Sequence, residues 1–367
     1  MSHKILFLVN GLKPGGLEIY LKRFINFYDK DFISSCIYCK SNNNNENFIS
    51  SFDGKINIKI NRYSYKNPIS YYSFYLFLKK NKFDAVCDFS GTFAGPYLLI
   101  SKILKIKKRI VFFRESRFQF DINFLRSIII KIYSILLKKS ATKFLSNSKD
   151  SFKYFLPNYK RHAEKYHVVY NGIPQGAYSN YKIKLLRKKL NISKDDFVVG
   201  HIGRFHKSKN HELIIEIARF FTKKKYNKIK FILAGRDVED NIKNKIEKYN
   251  LKNNVIFTGH INDVYDLHQL FDLFLFPSLN EGLPNALIEA IYSKIPILAS
   301  NIPAHQDLLP KYIHPSLVDL SNKNGYVEII KKYFNNENLY STEKLKHWAL
   351  KTFDPKLRFS EFYNHLI

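Results

Sequence analysis

The chain of 367 residues is short of acid: 31 Asp and Glu stand against 60 Lys and Arg, a formal charge of +29. Such an excess seeks an anionic partner, which leaves nucleic acid, anionic lipid and phosphorylated substrates in play. Cysteine is scarce too, with three residues, which argues against a disulfide framework and fits a reducing compartment. Cys36 and Cys39 form a C-x-x-C, but they fall in an apparent strand, where positions three apart face opposite sides. A shared metal is not expected there. No apolar run reaches the roughly 18 residues of a membrane span, and the run over 5–9 is too short for a signal peptide.

Absent motifs narrow the chemistry further. The sequence has no G-x-G-x-x-G, no P-loop ending in G-K-[ST], no zinc-ligand spacing and no serine-hydrolase elbow. His201, His206 and His211 stand five apart and share no helix face. The one D-x-D, Asp29 and Asp31, falls at the end of a helical stretch. A metal-independent chemistry without a cofactor is the expectation.

What is present is an alternation of short apolar strands and helices along the whole chain, the pattern of parallel sheets covered by helices. Strands are expected over 4–10, 56–60, 85–89, 109–113, 142–145 and 168–170. Asn171, Gly172 and Pro174 then break the pattern, and strands resume over 197–202, 231–234, 255–257, 274–276 and 295–299. Two α/β domains follow, with boundaries set at 1–175 and 176–340. The tail 341–367 reads as two helices broken at Pro355 and expected to return to the first domain.

The most informative stretch is 274–300, FLFPSLNEGLPNALIEAIYSKIPILAS, read as strand, loop, helix and strand. Glu281 lies just before the helix and Glu289 in its second turn. Eight helical positions separate them by roughly 12 Å, too far for the carboxyl pair of a glycosidase at about 5–9.5 Å. The spacing suits one elongated ligand held at both ends. Between them lie N–H groups of the helix N-terminus, including those of Leu283, Asn285 and Ala286, which favour a phosphate. A diphosphate flanked by hydroxylated groups describes a nucleotide sugar. A second constellation is HIGRFHKSKNHELI, where Arg204 follows a strand and Lys209 precedes a helix. Two cations there oppose the helix dipole, and gathering around an anionic ligand explains them.

The string E-G-L-P-N-A-L-I-E resembles the Glu-x7-Glu signature of retaining glycosyltransferases with the GT-B fold, close to glycosyltransferase family 4 (group 1 glycosyl transferases). The likeness is strong over 197–300 and loose over 1–170. It implies two Rossmann-like domains whose parallel sheets face a central cleft, an N-terminal one for the acceptor and a C-terminal one for the donor. It implies that Glu281 contacts the donor sugar and Glu289 the ribose. Arg204 and Lys209, in the family's G-R-x-x-x-x-K spacing, would hold the diphosphate. Gly203, Gly282, Leu283, Pro284 and Asn285 would complete this donor site. Asn210 stands where the family usually has Gly. Gly235 and Arg236, with His260 and Ile261, fall in loops that border the nucleotide base in the family. Gly15 and Gly16 resemble its G-G-x-E loop. The acceptor domain departs from the family, which often carries a His in the loop after the strand equivalent to 109–113: RIVFFRESRF has Arg114 and Glu115 but no His. Arg114 could bind an acceptor phosphate or pair with Glu115 or Asp121.

Residues 101–140 carry 11 basic and 2 acidic residues. Within 123–140, Ser127, Lys131, Ser134 and Lys138 form one polar stripe on an otherwise apolar helix. Two readings stay open: a buried helix covering the first sheet, or an interfacial helix resting on anionic lipid. The resemblance implies a hexosyltransferase-type enzyme using a UDP-sugar, with GDP-sugar second, and a saccharide acceptor carried on lipid. The setting would be bacterial surface polysaccharide synthesis, including O-antigen, capsule or lipopolysaccharide, at the cytoplasmic face of the plasma membrane. The competing reading is a basic nucleic-acid- or nucleotide-binding protein, and no recognised nucleic-acid module supports it.

Overall fold

The run ILFLV is apolar at every position, as a strand buried on both faces must be. It forms β1 (Ile5–Val9), with all five residues buried. A computed structural model describes every residue except 1–2, 29–34, 53, 55, 63–66, 119, 160–163 and 262–263. Asp29 and Asp31 lie outside the described residues. The chain divides into two compact units, 1–172 with 355–367 and 173–354.

In the first unit β1 is joined by β2 (Cys36–Cys39), β3 (Asn57–Ile60), β4 (Ala85–Asp88), β5 (Lys108–Phe113), β6 (Lys143–Ser146) and β7 (Tyr166–Val168). All pairings are parallel, in the order β3-β2-β1-β4-β5-β6-β7. Cys36 and Cys39 enter opposite cores of this sheet, and burial raises their thiols to about 11 and about 12. They are two packed thiols on different faces.

In the second unit the strands are β8 (Phe197–Ile202), β9 (Ile229–Ala234), β10 (Val255–Gly259), β11 (Leu273–Phe276), β12 (Ile297–Ser300) and β13 (Leu317–Val318). They too are parallel, in the order β10-β9-β8-β11-β12-β13. Each sheet reverses its strand order once, between β1 and β4 and between β8 and β11. Open α/β sheets bind ligands beyond the strand carboxyl ends at such points.

Two expectations change. The unit boundaries fall at 172/173 and 354/355, so the two tail helices part company. Helix Thr342–Thr352 belongs to the second unit, where Leu345 and Ala349 are buried and the Tyr292 hydroxyl donates to the Ala349 carbonyl at 3.5 Å. Helix Pro355–Leu366 alone belongs to the first unit. Its Phe359 and Phe362 pack on Phe24 at 5.8 and 4.6 Å, and both meet Tyr20 at 5.8 Å. Proline at 355 breaks the helix because it has no N–H to donate.

The second change concerns helix Phe124–Ser140, where only Leu137 and Ser140 are buried. Phe124 and Leu125 are 78% and 70% exposed, and Ile128, Ile129, Ile132 and Ile135 are exposed as well. The buried-helix reading fails because contact is confined to one narrow side. Helix Gly95–Ile103 occupies that side so closely that a Cβ on Gly95 would lie 2.3 Å from the Tyr133 carbonyl oxygen. No helix among the described residues is long and apolar enough to cross a membrane.

Candidate functional site

The loops that follow β8 and β11 meet at the second unit's reversal point. After β8 the chain passes Gly203 and Arg204 and makes a short 3-10 turn, Lys207–Lys209. His206 caps that turn, its Nδ1 accepting from the Ser208 N–H at 3.2 Å. Asn210 then adopts a left-handed conformation, φ 54°, before helix His211–Lys223. This is the conformation glycine favours and Asn tolerates. Its side chain makes no capping bond, so the backbone angle alone explains the residue. The Leu279 N–H donates to the Ser208 carbonyl at 2.7 Å, fastening the second loop to the first.

Across this seam Lys209 Nζ donates to Glu281 Oε1 at 2.6 Å. The ammonium also lies 4.8 Å from the centre of the Phe276 ring. Arg204 is exposed and makes no ion pair among the described residues. Glu281 therefore stands with the cations, at the mouth of helix Asn285–Tyr292. That helix has Pro284 as its N-cap, no side-chain cap and no acid in its first turn. Its own first turn carries no acid to offset the positive end of its dipole. Gly282 and Asn285 are half-buried, and Leu283 and Pro284 buried, along the approach to it. Glu289, in the second turn, is 8% exposed; it is not a solvated helix charge.

The loops after β9 and β10 close on the same edge. The Phe205 N–H donates to the Arg236 carbonyl at 2.8 Å, and the Gly235 N–H to that of Gly259 at 2.8 Å. Gly235 has φ +154°, and a Cβ there would lie 2.0 Å from the Gly203 carbonyl oxygen. Only glycine allows these two strand ends to approach so closely. Arg236 and Ile261 are half-buried and His260 exposed, at the rim of this edge.

A layer of buried imidazoles beneath the seam was missed in the sequence. His201 and His211 meet with ring centres 5.1 Å apart, one from a strand end and one from a helix start. Helix-face spacing could not have paired them. His201 Nδ1 bonds the Leu275 carbonyl at 2.9 Å and His305 Nδ1 that of Ser300 at 2.8 Å. Phe276 lies between these two rings, 6.0 and 5.7 Å from each. Burial lowers the pKa of His201, with His211 and Lys209 adding to the effect; burial chiefly lowers His211, to about 4. Burial lowers His305 as well. Neutral rings under a cluster of cations avoid adding charge to it.

In the first unit Gly15 is the N-cap residue of helix Gly16–Phe27, with no side-chain cap, and ends the loop 10–15 that leaves β1 at that sheet's reversal point. Gly16 is exposed, with open space around a hypothetical Cβ. Arg114 pairs with neither Glu115 nor Asp121; its guanidinium carbon sits 4.0 Å from the Tyr20 ring centre.

Residues 182–349 match the family described as glycosyl transferases group 1. A capsular polysaccharide biosynthesis glycosyltransferase of Staphylococcus aureus, CapH, is 24% identical over 296 residues, 75% of this chain and 79% of that protein. An N-acetylgalactosamine-N,N'-diacetylbacillosaminyl-diphospho-undecaprenol 4-alpha-N-acetylgalactosaminyltransferase of Campylobacter jejuni is 26% identical over 226 residues, 61% of this chain and 59% of that one. Among solved structures, HepE of Anabaena in complex with UDP and glucose covers 99% of both chains, with TM-score 0.82 and 18% identity. The fold is that of the GT-B glycosyltransferases.

Proposed function

For a chain whose residues 182–349 belong to the group 1 glycosyl transferases, we propose transfer of a sugar from a nucleoside-diphosphate sugar, UDP-sugar foremost, to a saccharide acceptor with retention of configuration. The observation that carries this reading is the seam at β8 and β11. Lys209 and Glu281 touch there, beside Arg204 and an uncapped helix N-terminus, with Glu289 buried along the same helix.

The chemistry follows from these positions. As the glycosidic bond to the diphosphate breaks, negative charge grows on the phosphate oxygens. Arg204, the ammonium of Lys209 and the helix N–H groups are fixed in advance to receive it. Lys209 has three donors and one goes to Glu281; the others serve the diphosphate. Glu281 lies next to the breaking bond, where its charge favours the positive charge developing on the sugar. Glu289 accepts hydrogen bonds from the ribose, and the strand ends at Gly203, Gly235, Arg236, His260 and Ile261 border the base. The acceptor hydroxyl enters on the face the diphosphate leaves. No metal is needed for this charge balance.

The acceptor in this proposal is lipid-linked, a reading supported by the diphospho-undecaprenol in the name of the Campylobacter relative, and the protein would work on an anionic membrane surface at the cytoplasmic side. Helix Phe124–Ser140 supports this arrangement. Its exposed Phe124, Leu125, Ile128 and Ile132 adjoin Lys131, Lys138 and Lys139, an apolar face with a basic border. The same face gives nucleic acid no reason to bind, since a phosphate backbone does not cover exposed isoleucines. Incubation with a panel of nucleotide sugars, followed by NMR of any product, tests the reading. A product linkage with the donor's anomeric configuration is expected; an inverted linkage overturns retention, and no shift in thermal unfolding with any nucleotide overturns the donor class.

A further inference from the structure

Arg114 directly follows β5, at the carboxyl edge of the first unit's sheet. Its guanidinium carbon lies 4.0 Å from the centre of the Tyr20 ring and 4.9 Å from that of Phe112. Aromatic faces attract a cation but offer no lone pair to the N–H groups in the guanidinium plane. Nε and Nη1 are both buried and neither has a hydrogen-bond partner, although the residue as a whole is only half-buried. Burial lowers its pKa to about 10, while Tyr20, Glu18 and Cys87 act to raise it. Glu18 acts at a distance; no salt bridge joins it to Arg114.

Two neighbours on the same edge are in a similar state. Asn147, 2% exposed, follows β6 and donates from Nδ2 to the Arg114 carbonyl at 3.5 Å, while its Oδ1 has no partner. Ser116 is 1% exposed, and its Oγ has none either. Buried polar atoms in folded proteins are nearly always satisfied, so a group of exceptions calls for an explanation. Here they gather at strand carboxyl ends, where an open α/β sheet binds its ligands.

The unmet needs define a ligand. Nε and Nη1 lie on different edges of the guanidinium and each shares its edge with Nη2, so on either edge the group can take two oxygens of one anion, which a phosphate supplies in matching geometry. Asn147 Oδ1 calls for a donor and the Ser116 hydroxyl accepts or donates, needs that a sugar hydroxyl meets. We propose that Arg114 holds the phosphate of a phosphorylated acceptor, a glycosyl phosphate or diphosphate, at the carboxyl end of β5. This rests on the transferase reading above and adds the chemical class of its acceptor.

The test is calorimetric titration of geranyl diphosphate into the full-length chain with UDP at saturation, with geraniol as the uncharged control. Wild type is expected to bind the diphosphate and not the alcohol. Arg114→Gln is expected to weaken that binding at least about tenfold, a charge-assisted contact being lost, while Arg204→Ala leaves it unchanged. Arg114→Met is expected not to lower Tm, since an apolar side chain replaces an unpaired buried charge. Unchanged binding in Arg114→Gln overturns the proposal. So does equal loss in Arg204→Ala, which assigns the probe to the donor loops. A lowered Tm in Arg114→Met with binding intact makes Arg114 a packing residue. The initial UDP titration judges the transferase reading separately, and the geranyl diphosphate arm, repeated without UDP, decides on Arg114 whatever its result.

Discussion

At the reversal point of the first sheet, Lys40 and Asp88 form an ion pair of 2.6 Å with side chains 2% and 0% exposed. At that of the second, Lys209 and Glu281 pair at the same 2.6 Å but keep 19% and 11% of their surface. Lys40 is also bonded to Ser90 Oγ at 2.6 Å and stacked over Tyr97 at 4.2 Å; Asp88 in turn accepts from the Ser90 N–H at 2.8 Å. Every side of that pair is occupied by protein, so it ties β2 to β4 and can do nothing else. Lys209 has one carboxylate and one ring face, and donors to spare. The same two charge types thus make a clamp where they are enclosed and, where one side stays open, the pair around which the donor site is proposed.

Removing one half of the enclosed pair should have the largest effect. Lys40→Met is expected to cost about 3–5 kcal/mol, because Asp88 is left buried and unpaired. Asp88→Leu added to it should recover much of that loss. Urea unfolding, with hydrogen exchange assigning segments to 1–172 or 173–354, checks both magnitude and place. A loss confined to the second unit would break the comparison.

The open pair should respond in activity instead. Lys209→Ala and Arg204→Ala are each expected to lower kcat/KM by about 10²–10³, the usual cost of one preorganised donor to developing negative charge. The partly exposed Lys209 pair should contribute no more than about 1 kcal/mol to stability. Steady-state kinetics beside urea midpoints separates the two, and a stability loss as large as that of Lys40→Met would erase the distinction.

Acid should find the second unit first. His211 is held down to about 4 and His268 to about 3, both chiefly by burial. An unfolded imidazole titrates near 6.5, so the unfolded chain binds protons that the folded one refuses. Stability from these rings is complete above about pH 6.5 and declines as pH falls toward 4, by about 1.4 kcal/mol per pH unit for each ring. His365, also held to about 4, is the corresponding group in the first unit. The unfolding midpoint of the second unit should fall more steeply below pH 6.5, and His211→Gln should flatten it. A pH-independent midpoint in that unit would contradict the burial assignment.

Per residue, the smallest effect belongs to the proposed membrane face. Converting Lys105, Lys107 and Lys108 to Glu should weaken vesicle binding by about 1 kcal/mol per lysine at low salt, and less as salt screens them. Flotation with anionic vesicles measures it; unchanged binding would move the contact away from 101–140.

The two units were not equally legible in sequence. In the second, the donors and acceptors lie in contiguous loops: G-R-x-x-x-x-K after β8 and E-x7-E around one helix. Spacing alone therefore grouped Arg204 with Lys209 and Glu281 with Glu289, and the resemblance to the family joined the two pairs. The buried imidazoles were hidden because their contact joins a strand to a helix through tertiary packing. In the first unit the informative contacts are long-range: Lys40 reaches Asp88 across β1, and Arg114 reaches Tyr20. No local pattern encodes either. Helix Phe124–Ser140 left two readings open because its apolar positions are the same whether covered by protein or by lipid. The tail was misdivided since both its helices carry apolar faces, and only packing assigned each to a unit.

The claim that one ligand is held at two ends by Glu281 and Glu289 is tested most directly by titrating UDP, and in parallel GDP, into wild type, Glu281→Gln and Glu289→Gln, with donor kinetics on the same three proteins. The account predicts that Glu289→Gln weakens the nucleotide itself and raises the donor KM. Glu281→Gln should leave nucleotide affinity near wild type and lower kcat, because its contribution strengthens in the transition state. Equal loss of nucleotide affinity in both variants would contradict the division of roles, and no nucleotide binding in wild type would contradict the site.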